Sequence, residues 1–186
     1  MIPTIHVISG PAGVGKSTTS KQLVQALSKS AYISGDAISH IPVNGRGKPW
    51  LCKETYDLTW KNILSLTRNL LEQDYDVVID YVTFPTDVEW LVQQLTDLEF
   101  RLVFVVLLVD RSTLIARDQL RPSEAQMGER SLVLLEEFET CSDLKEQNKL
   151  YTQQYRREQV SEIVEELRKN PRFIWKGDYP NSDRDK

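Results

Sequence analysis

The sequence predicts an α/β fold built on a parallel β-sheet. Short apolar and β-branched segments alternate with segments whose apolar residues recur at helical spacing. One apolar segment, residues 100–109 (FRLVFVVLLV), is almost continuous, as in a strand that helices cover on both faces. A glycine-rich turn directly follows the first strand. These observations favour right-handed β-α-β connections, in which ligands bind at the carboxyl ends of the strands.

The individual elements follow from the same periodicities. The predicted strands are Thr4–Ser9 and residues 31–34, 75–82, 100–109, 150–152 and 173–175. The predicted helices are residues 16–28, 37–40, 53–73, 86–95, Arg111–Gln119, Glu129–Thr140 and 159–169. In the third helix, the apolar face is predicted from Leu58, Ile63, Leu66 and Leu70. The polar residues 142–148 could extend the helix before them, and residues 42–49 (PVNGRGKP) predict a loop over a site.

Composition and charge narrow the class of protein. The chain has 186 residues, of which 40% are hydrophobic and 27% charged, as in a globular protein with one domain. Its net charge of -4 argues against nucleic acid as a partner. The N-terminus does not look like a signal peptide, and no apolar run is long enough for a membrane helix. We therefore expect a cytoplasmic protein, with one domain over residues 1–176 and a flexible tail over 177–186.

The strongest motif is GPAGVGKS, residues 10–17, which matches the pattern G-x-x-x-x-G-K-[ST] between a strand and a helix. Glycines let backbone N–H groups point inward as an anion nest, and the following helix directs its positive end at the same place. Lys16 would contact the β- and γ-phosphates, Ser17 would bind Mg²⁺, and Thr18 would contact the α-phosphate. The motif predicts ATP and Mg²⁺ as ligands. The predicted nucleotide-binding residues are Gly10, Pro11, Ala12, Gly13, Val14, Gly15, Lys16, Ser17 and Thr18.

Two aspartates lie near the carboxyl ends of predicted strands, and these ends meet at the same edge of a parallel sheet. Asp36 comes after the second strand, where a carboxylate can accept a proton from an attacking hydroxyl or hold the acceptor in line. The alternative is that Asp36 only caps the short helix 37–40. Asp80 ends the third strand, where a carboxylate would hold magnesium through water. The alternative for Asp80 is an ordinary carboxylate at the end of a strand.

Arginines surround a break in the helical pattern at residues 122–128. Arg117 and Arg121 are four residues apart and share one helical face. Guanidinium groups match phosphate oxygens, so these two arginines would stabilise a transferring phosphoryl group from a lid formed by residues 117–130. The alternative is a salt-bridged surface helix with partners such as Asp118. Arg130 is a further candidate.

Three other side chains are candidates for contact with a small-molecule acceptor: His40, Trp50 and Tyr81. His40 could equally lie on a helix surface, and Trp50 could equally anchor the core. By contrast, His6 lies inside the first strand and is predicted to be a core residue. Asp110 precedes a helix and is predicted to cap it.

Taken together, these motifs resemble the small P-loop kinases of the shikimate and gluconate kinase type and chloramphenicol phosphotransferase-like proteins. The residues that carry the resemblance are the glycine-rich motif, Gly35-Asp36, residues 48–51 (KPWL) and the arginines 117 and 121. The resemblance implies a P-loop NTPase three-layer sandwich with a five-stranded parallel sheet of order 2-3-1-4-5, an acceptor site and a lid. It also implies transfer of the γ-phosphoryl group of ATP to a hydroxyl of a small polar molecule.

The chain departs from the family patterns at three places. Ser34 stands where shikimate kinases carry the first aspartate of Asp-x-Asp, so its magnesium role would pass to Asp80. The lid lacks the Gly-His-Phe of gluconate kinases, and His40 lies four residues after Asp36 instead of three. The acceptor is therefore open between a gluconate-like sugar acid and an antibiotic. A nucleotide-binding switch without an acceptor and a polynucleotide kinase are further alternatives, and the sequence leaves the oligomeric state open.

Overall fold

The computed structural model describes residues 2–177, and these residues contain a five-stranded sheet flanked by helices. The strands are β1 (Thr4–Ser9), β2 (Ser30–Ser34), β3 (Asp76–Asp80), β4 (Arg101–Leu108) and β5 (Lys149–Tyr151). The helices are α1 (Lys16–Gln25), α2 (Gly35–Ser39), α3 (Lys53–Leu71), α4 (Pro85–Gln93), α5 (Arg111–Gln119), α6 (Glu129–Thr140) and α7 (Val160–Lys169). The predicted α/β class is confirmed. The predicted tail, apart from Gly177, lies outside the described residues.

All five strands are parallel, in the order β2-β3-β1-β4-β5, as the sequence resemblance implied. Strand β1 is central, and its residues from Ile5 to Ile8 pair with residues 77–80 of β3. On the other side of β3, Ser34 pairs with Asp80. Because parallel strands end on the same edge of a sheet, the glycine-rich motif after β1, Ser34 and Asp80 lie side by side.

The core is the sheet itself together with the inward faces of the helices. In β4, every residue from Leu102 to Leu108 is buried, so the continuous apolar run does mark a strand covered on both faces. The β1 residues from Ile5 to Ser9 are buried as well. Among them is His6, which is 5% exposed, as predicted for a core residue. No helix within residues 2–177 has the length and apolarity needed to cross a membrane.

Two of the predicted elements are wrong. Residues 173–175 do not form a strand, because Pro171–Phe173 make a 3₁₀ turn and only Ile174 pairs, in an antiparallel bridge with Val103. Residues 142–148 do not extend α6, which ends at Thr140, and only Glu146–Asn148 form a 3₁₀ turn. Tertiary contacts with β4 at both places outweigh the local pattern, since Asn148 donates to the Phe104 carbonyl and the Trp175 N–H donates to the Leu102 carbonyl.

The buried face of α3 also differs from the predicted one. Ile63 of the predicted face is buried, but Leu58 and Leu66 are 44% and 41% exposed, and Trp60 is buried instead. The remaining buried positions of α3 are Thr55, Thr59, Thr67 and Leu71. A threonine-rich face with one tryptophan does not stand out as apolar in sequence. The leucine pattern was therefore more conspicuous than the face that actually packs.

The buried histidine of β1 should make folding sensitive to mild acid. His6 Nδ1 is buried without a hydrogen-bond partner in the described structure, and burial, with a smaller effect of Arg168, lowers the pKa of His6 to about 4. The unfolded chain binds a proton near pH 6.5, so stability is complete above that pH and falls as the pH drops toward 4, by up to about 3 kcal/mol.

We expect His6→Leu to remove this part of the pH dependence, and urea unfolding at pH 7.5 and pH 4.5 measures it. His40→Gln is the control, because His40 is the other histidine of the chain and its side chain is exposed. Equal losses of stability in wild type and His6→Leu over this pH range would contradict the assignment.

Candidate active site

The glycine-rich motif wraps around the amino end of α1 at the carboxyl edge of β1. Its three glycines have φ angles of 132°, 86° and 109°, a region that only glycine adopts freely. The last of them, Gly15, occupies the N-cap position of α1, and neither a capping side chain nor an acidic first-turn residue is present. The N–H groups at the start of α1 therefore remain available to an anion, and the helix dipole favours negative charge there.

Lys16 lies within this turn and its ammonium donates to the Pro11 carbonyl at 3.0 Å. Burial lowers the pKa of Lys16 from its ordinary value, and Arg121 adds to this effect. The carboxylates of Asp80 and Asp36 act in the opposite direction and raise it. Lys16 is thus placed between two acidic groups and one basic group, as suits a cation that binds phosphate.

The second strand leads directly into α2, and Asp36 lies in the first turn of this helix. The N-cap is Ser34, whose hydroxyl accepts the N–H of Ala37 at 3.2 Å. The alternative reading of Asp36 as the cap of a helix beginning at Ala37 is therefore wrong. The Asp36 side chain is exposed, and no hydrogen bond or ion pair within residues 2–177 involves its carboxylate. Asp36 lines the same cleft as Lys16.

Close packing of α2 against the end of β3 fixes where Asp36 points. A Cβ atom on Gly35 would lie 2.2 Å from Cγ of Tyr81, so only glycine fits at this position. Tyr81 is 6% exposed and contacts Trp60 edge-to-face at a centroid distance of 5.9 Å. Burial raises the pKa of Tyr81 to about 12, with a further contribution from Asp36. Tyr81 also lines the cleft.

Asp80 lies at the end of β3, close to the glycine-rich motif. Its side chain is buried, and its Oδ2 atom accepts a hydrogen bond of 2.7 Å from the hydroxyl of Tyr32 on β2. Burial, followed by this contact with Asp80, raises the pKa of Tyr32 above its ordinary value. The phenol therefore remains a hydrogen-bond donor at physiological pH. The nearby side chains of Ser34 and Ser17 have a smaller, opposite effect and lower the pKa of Tyr32.

The loop after β3 is tied to the glycine-rich motif by one serine. The Ser9 hydroxyl donates to the Thr83 carbonyl and accepts the Thr83 N–H, both at 2.8 Å. Both residues are buried, so water does not compete for these bonds. This pair holds the residues after β3 beside the turn that follows β1.

On the opposite wall of the cleft, Arg117 reaches across to the glycine-rich turn. Its guanidinium donates to the carbonyl of Val14 at 3.0 Å and to that of Thr152 at 3.4 Å. Burial lowers the pKa of Arg117 from its ordinary value, while Asp110 acts in the opposite direction. Asp110 itself caps α5 as predicted, accepting the Thr113 N–H at 2.8 Å.

Asp118 organises the segment between α5 and α6. Its carboxylate accepts the N–H groups of Met127, at 3.1 Å, and Gly128, at 2.8 Å, and pairs with Arg121 at 3.3 Å. Burial alone would raise the pKa of Asp118, but these three donors outweigh it and hold the pKa below its usual range. Arg121 thus has the salt-bridge partner that the sequence offered as the alternative, and it also lines the cleft.

The far end of the cleft is formed by residues 46–50 and by α6. Arg46 is fixed by the carbonyl of Ser39, to which its Nε donates at 2.6 Å. Trp50 is 47% exposed, so the alternative in which it anchors the core is wrong. Its ring lies 5.7 Å from the Lys48 ammonium and 5.9 Å from the Arg130 guanidinium, within cation–π range.

Aromatic side chains complete this far end. The Tyr56 hydroxyl donates to Asp87, and burial raises the pKa of both groups, with their mutual contact adding to the effect on Tyr56. Phe84 stacks on Phe138 of α6 at a centroid distance of 4.4 Å. Tyr56 and Phe84 both line the cleft, as do His40 and Trp50.

One continuous cleft of about 1190 Å³ joins these features. It brings Lys16, Asp36, Arg117 and Arg121 together, and it includes the three predicted acceptor contacts, His40, Trp50 and Tyr81. Asp80 and Tyr32 are not among its lining residues, and Asp80 acts on the cleft through the effect of its charge on Lys16. Further lining residues that sequence reasoning missed are Arg46, Tyr56, Phe84, Glu137, Tyr155 and Arg156. Of these, only Arg46 could have been found from the sequence, because it lies in the loop that is predicted to cover a site.

The residues present fit a magnesium ion. Within residues 2–177, no group of three or more acidic, histidine or cysteine side chains could hold a metal by itself. Mg²⁺ characteristically takes one or two protein oxygens and completes its coordination with water and substrate phosphates. The Ser17 hydroxyl and the Asp80 carboxylate, whose Oδ1 accepts no hydrogen bond within the described residues, supply oxygens of this kind.

A family model described as an AAA domain matches residues 5–147. The chain belongs to this family. Membership implies a nucleotide as substrate, and the resemblance to small P-loop kinases is confirmed. No protein with a curated description matches the sequence.

Solved structures with the same fold include several kinases. A gluconokinase from Sinorhizobium meliloti is 21% identical, with a TM-score of 0.61 over 89% of this chain and 90% of that chain. A sugar kinase from a Janibacter species is 14% identical, with a TM-score of 0.64 over 92% and 97%. A tunicamycin resistance protein from Deinococcus radiodurans is 17% identical, with a TM-score of 0.56 over 90% and 94%. At these identities the likeness establishes a P-loop kinase-like fold.

The contacts of Asp118 predict a local effect of its charge. In Asp118→Asn, the side-chain NH₂ group takes the place either of Oδ1, which faces Arg121 and the Met127 N–H, or of Oδ2, which faces the N–H groups of Met127 and Gly128. In both orientations a donor meets donors that the carboxylate accepted. We expect hydrogen exchange at the Met127 and Gly128 amides to accelerate about fivefold, because each lost hydrogen bond contributes about 1 kcal/mol. Asp143→Asn is the control, since Asp143 is exposed and contacts only Ser142 within residues 2–177. Unchanged exchange at both amides would show that the carboxylate does not hold this segment.

Proposed function

We propose that the protein is an ATP-dependent small-molecule kinase, which transfers the γ-phosphoryl group to a hydroxyl of a small polar acceptor. The observation that carries the proposal is the position of an unpaired, exposed carboxylate, Asp36, in the same cleft as the phosphate-binding turn. A protein that only hydrolysed or sensed a nucleotide would not need such a group facing an aromatic-walled extension of the cleft. The P-loop kinase-like fold and the family membership support the same conclusion.

Each residue has a defined part in this proposal. The amides of the glycine-rich turn and Lys16 bind the phosphates, and Ser17 with Asp80 would hold Mg²⁺, which neutralises charge on the phosphates when bound. Asp36 orients or deprotonates the acceptor hydroxyl. Arg117 and Arg121 stabilise the transferring group, and we propose that residues 117–130 act as the lid that excludes water. His40, Trp50 and Tyr81 contact the acceptor.

The decisive substitution is Asp36→Asn. The amide keeps the size of the side chain but cannot accept a proton, so transfer should fall by about 10²- to 10⁴-fold while ATP affinity stays within about twofold. Calorimetric ATP binding and steady-state ADP formation measure the two quantities. Undiminished transfer by Asp36→Asn would remove Asp36 from the mechanism.

Lys16→Ala and Asp57→Asn provide the matched controls for this experiment. Lys16→Ala should lose both tight ATP binding and transfer, because its charge acts on the phosphates. Asp57 pairs with Lys53 on the surface of α3, so Asp57→Asn should change neither quantity. These two variants separate an effect on the acceptor from an effect on the nucleotide or on folding.

The residues at the far end of the cleft favour two chemical classes of acceptor. A gluconate-like sugar acid would suit its cations, Arg46, Lys48 and Arg130. A second candidate, an antibiotic or another xenobiotic with an aromatic or apolar part, is favoured by the walls formed by Tyr56, Phe84 and Trp50. Aromatic faces contribute burial of apolar surface that an open-chain polyol acid would not use fully.

A screen of acceptors distinguishes these candidates. ADP release and mass spectrometry of products should be measured with gluconate and other sugar acids, with neutral sugars, with hydroxylated antibiotics and with an oligonucleotide bearing a free 5′-hydroxyl. We expect a phosphorylated product from the first or the third group, and Trp50→Ala should raise KM more than it lowers kcat. Slow ATP hydrolysis with no phosphorylated product in any group would favour a nucleotide-binding switch.

A further inference from the structure

Two neighbouring strands present different groups at the phosphate edge of the sheet. Strand β2 ends in Ser34 and β3 ends in Asp80, and these two residues are paired in register. Ser34 carries no charge, and its hydroxyl is engaged as the N-cap of α2. Of these two paired residues, only Asp80 therefore carries a negative charge that could bind a metal.

A carboxylate in this position needs to be held in one orientation. Asp80 is 5% exposed, and its Oδ2 accepts the Tyr32 hydroxyl at 2.7 Å. Tyr32 lies two residues before Ser34 on β2, so both side chains point to the same face of the sheet. A phenol on a strand has only two side-chain torsions, which makes it a stiff support for the carboxylate.

We propose that Tyr32 is a positioning residue for the phosphate and magnesium site. Its hydroxyl holds Oδ2 of Asp80 and leaves Oδ1 without a hydrogen bond within the described residues. This inference rests on the proposed function only in assuming that a magnesium nucleotide binds, and it concerns Tyr32 whether or not an acceptor is phosphorylated.

The surroundings of the Tyr32 hydroxyl support this role. The hydroxyl donates to Asp80, and the side chain of Ser17, at the start of α1, lies near enough to lower its pKa. The ammonium of Lys16 is close enough to Asp80 for the carboxylate to raise its pKa. The hydroxyl is thus bonded to the end of β3 and lies near the start of α1, the two elements that would share a magnesium ion.

Groups that hold a metal ligand from behind usually change metal affinity by about 10- to 100-fold when they are removed. Tyr32→Phe deletes only the hydroxyl and keeps the ring within the fold. We expect the Mg²⁺ concentration for half-maximal tightening of ATP binding to rise about tenfold in Tyr32→Phe. Binding of ATP without Mg²⁺, measured in EDTA, should change less than twofold.

Titration of Mg²⁺ into protein with a fluorescent ATP analogue, or calorimetry at fixed Mg²⁺, measures both quantities. Tyr75→Phe is the matched control, because Tyr75 lies just before β3 at the other edge of the sheet and its ring faces Lys29. A double-mutant cycle with Asp80→Asn tests whether Tyr32 acts through Asp80. Once Asp80 is replaced, Tyr32→Phe should have little further effect on Mg²⁺ dependence.

Two results would overturn the inference. One is a Mg²⁺ dependence of Tyr32→Phe equal to that of wild type, including the case in which only thermal stability falls. The other is additive effects of the two substitutions in the cycle, which would mean that Tyr32 does not act through Asp80. The proposed kinase function fails separately, if wild type binds magnesium nucleotide but phosphorylates no acceptor.

Discussion

The open amino end of α1 is the constraint on which the rest of the site depends. Gly15 begins this helix in a left-handed conformation without a capping side chain, so the first N–H groups have no partner from a cap. Such an end is stable only where water or an anion satisfies it. The parallel sheet places it beside the ends of β2 and β3, because β1 is central and β3 and β2 follow it on one side. Fold topology thus converts an unsatisfied helix end into a site with carboxylates nearby.

The charges around Lys16 follow from this arrangement. A partly buried ammonium favours loss of its proton, and Asp80 and Asp36 oppose that tendency. The two carboxylates are held differently: Asp80 is buried and bonded to Tyr32, whereas Asp36 is exposed, with Ser34 serving as the helix cap in its place. A fixed carboxylate suits a supporting role toward a cation. A free one suits contact with a substrate that has yet to bind.

The sequence predicted those parts of the molecule whose signals are local. The glycine-rich turn, the strand order through family resemblance, the cap at Asp110 and the buried strand β4 all depend on residues close together in the chain. The helix α3 was predicted in its extent but not in its buried face, because threonines and Trp60 pack where leucines were expected. Burial against a particular neighbour decides such a face, and a single helix does not encode that neighbour.

The same distinction explains what the sequence could not indicate in the site. Tyr32 and Asp80 are 48 residues apart, and Arg117 and Val14 are 103 residues apart. The sequence spacing of neither pair indicates a contact. The first pair depends on the register of two strands, and the second on the crossing of a helix over a loop. From the sequence, Asp118 is recognisable only as a surface partner of an arginine. In the structure it also accepts hydrogen bonds from two backbone N–H groups, nine and ten residues further on.

The two ends of the cleft are built by different means, and this bears on specificity. The phosphate end is formed by strand ends and a helix start, whose positions the sheet fixes. The far end is formed by residues 46–50, by the start of α3 and by α6, whose side chains hold one another through contacts such as Tyr56 with Asp87 and Phe84 with Phe138. Substitutions there change the shape of a pocket without disturbing the sheet. On the proposed function, the nucleotide chemistry can stay constant while the acceptor changes, so the identity of the acceptor depends on the residues of the far end rather than on the glycine-rich motif.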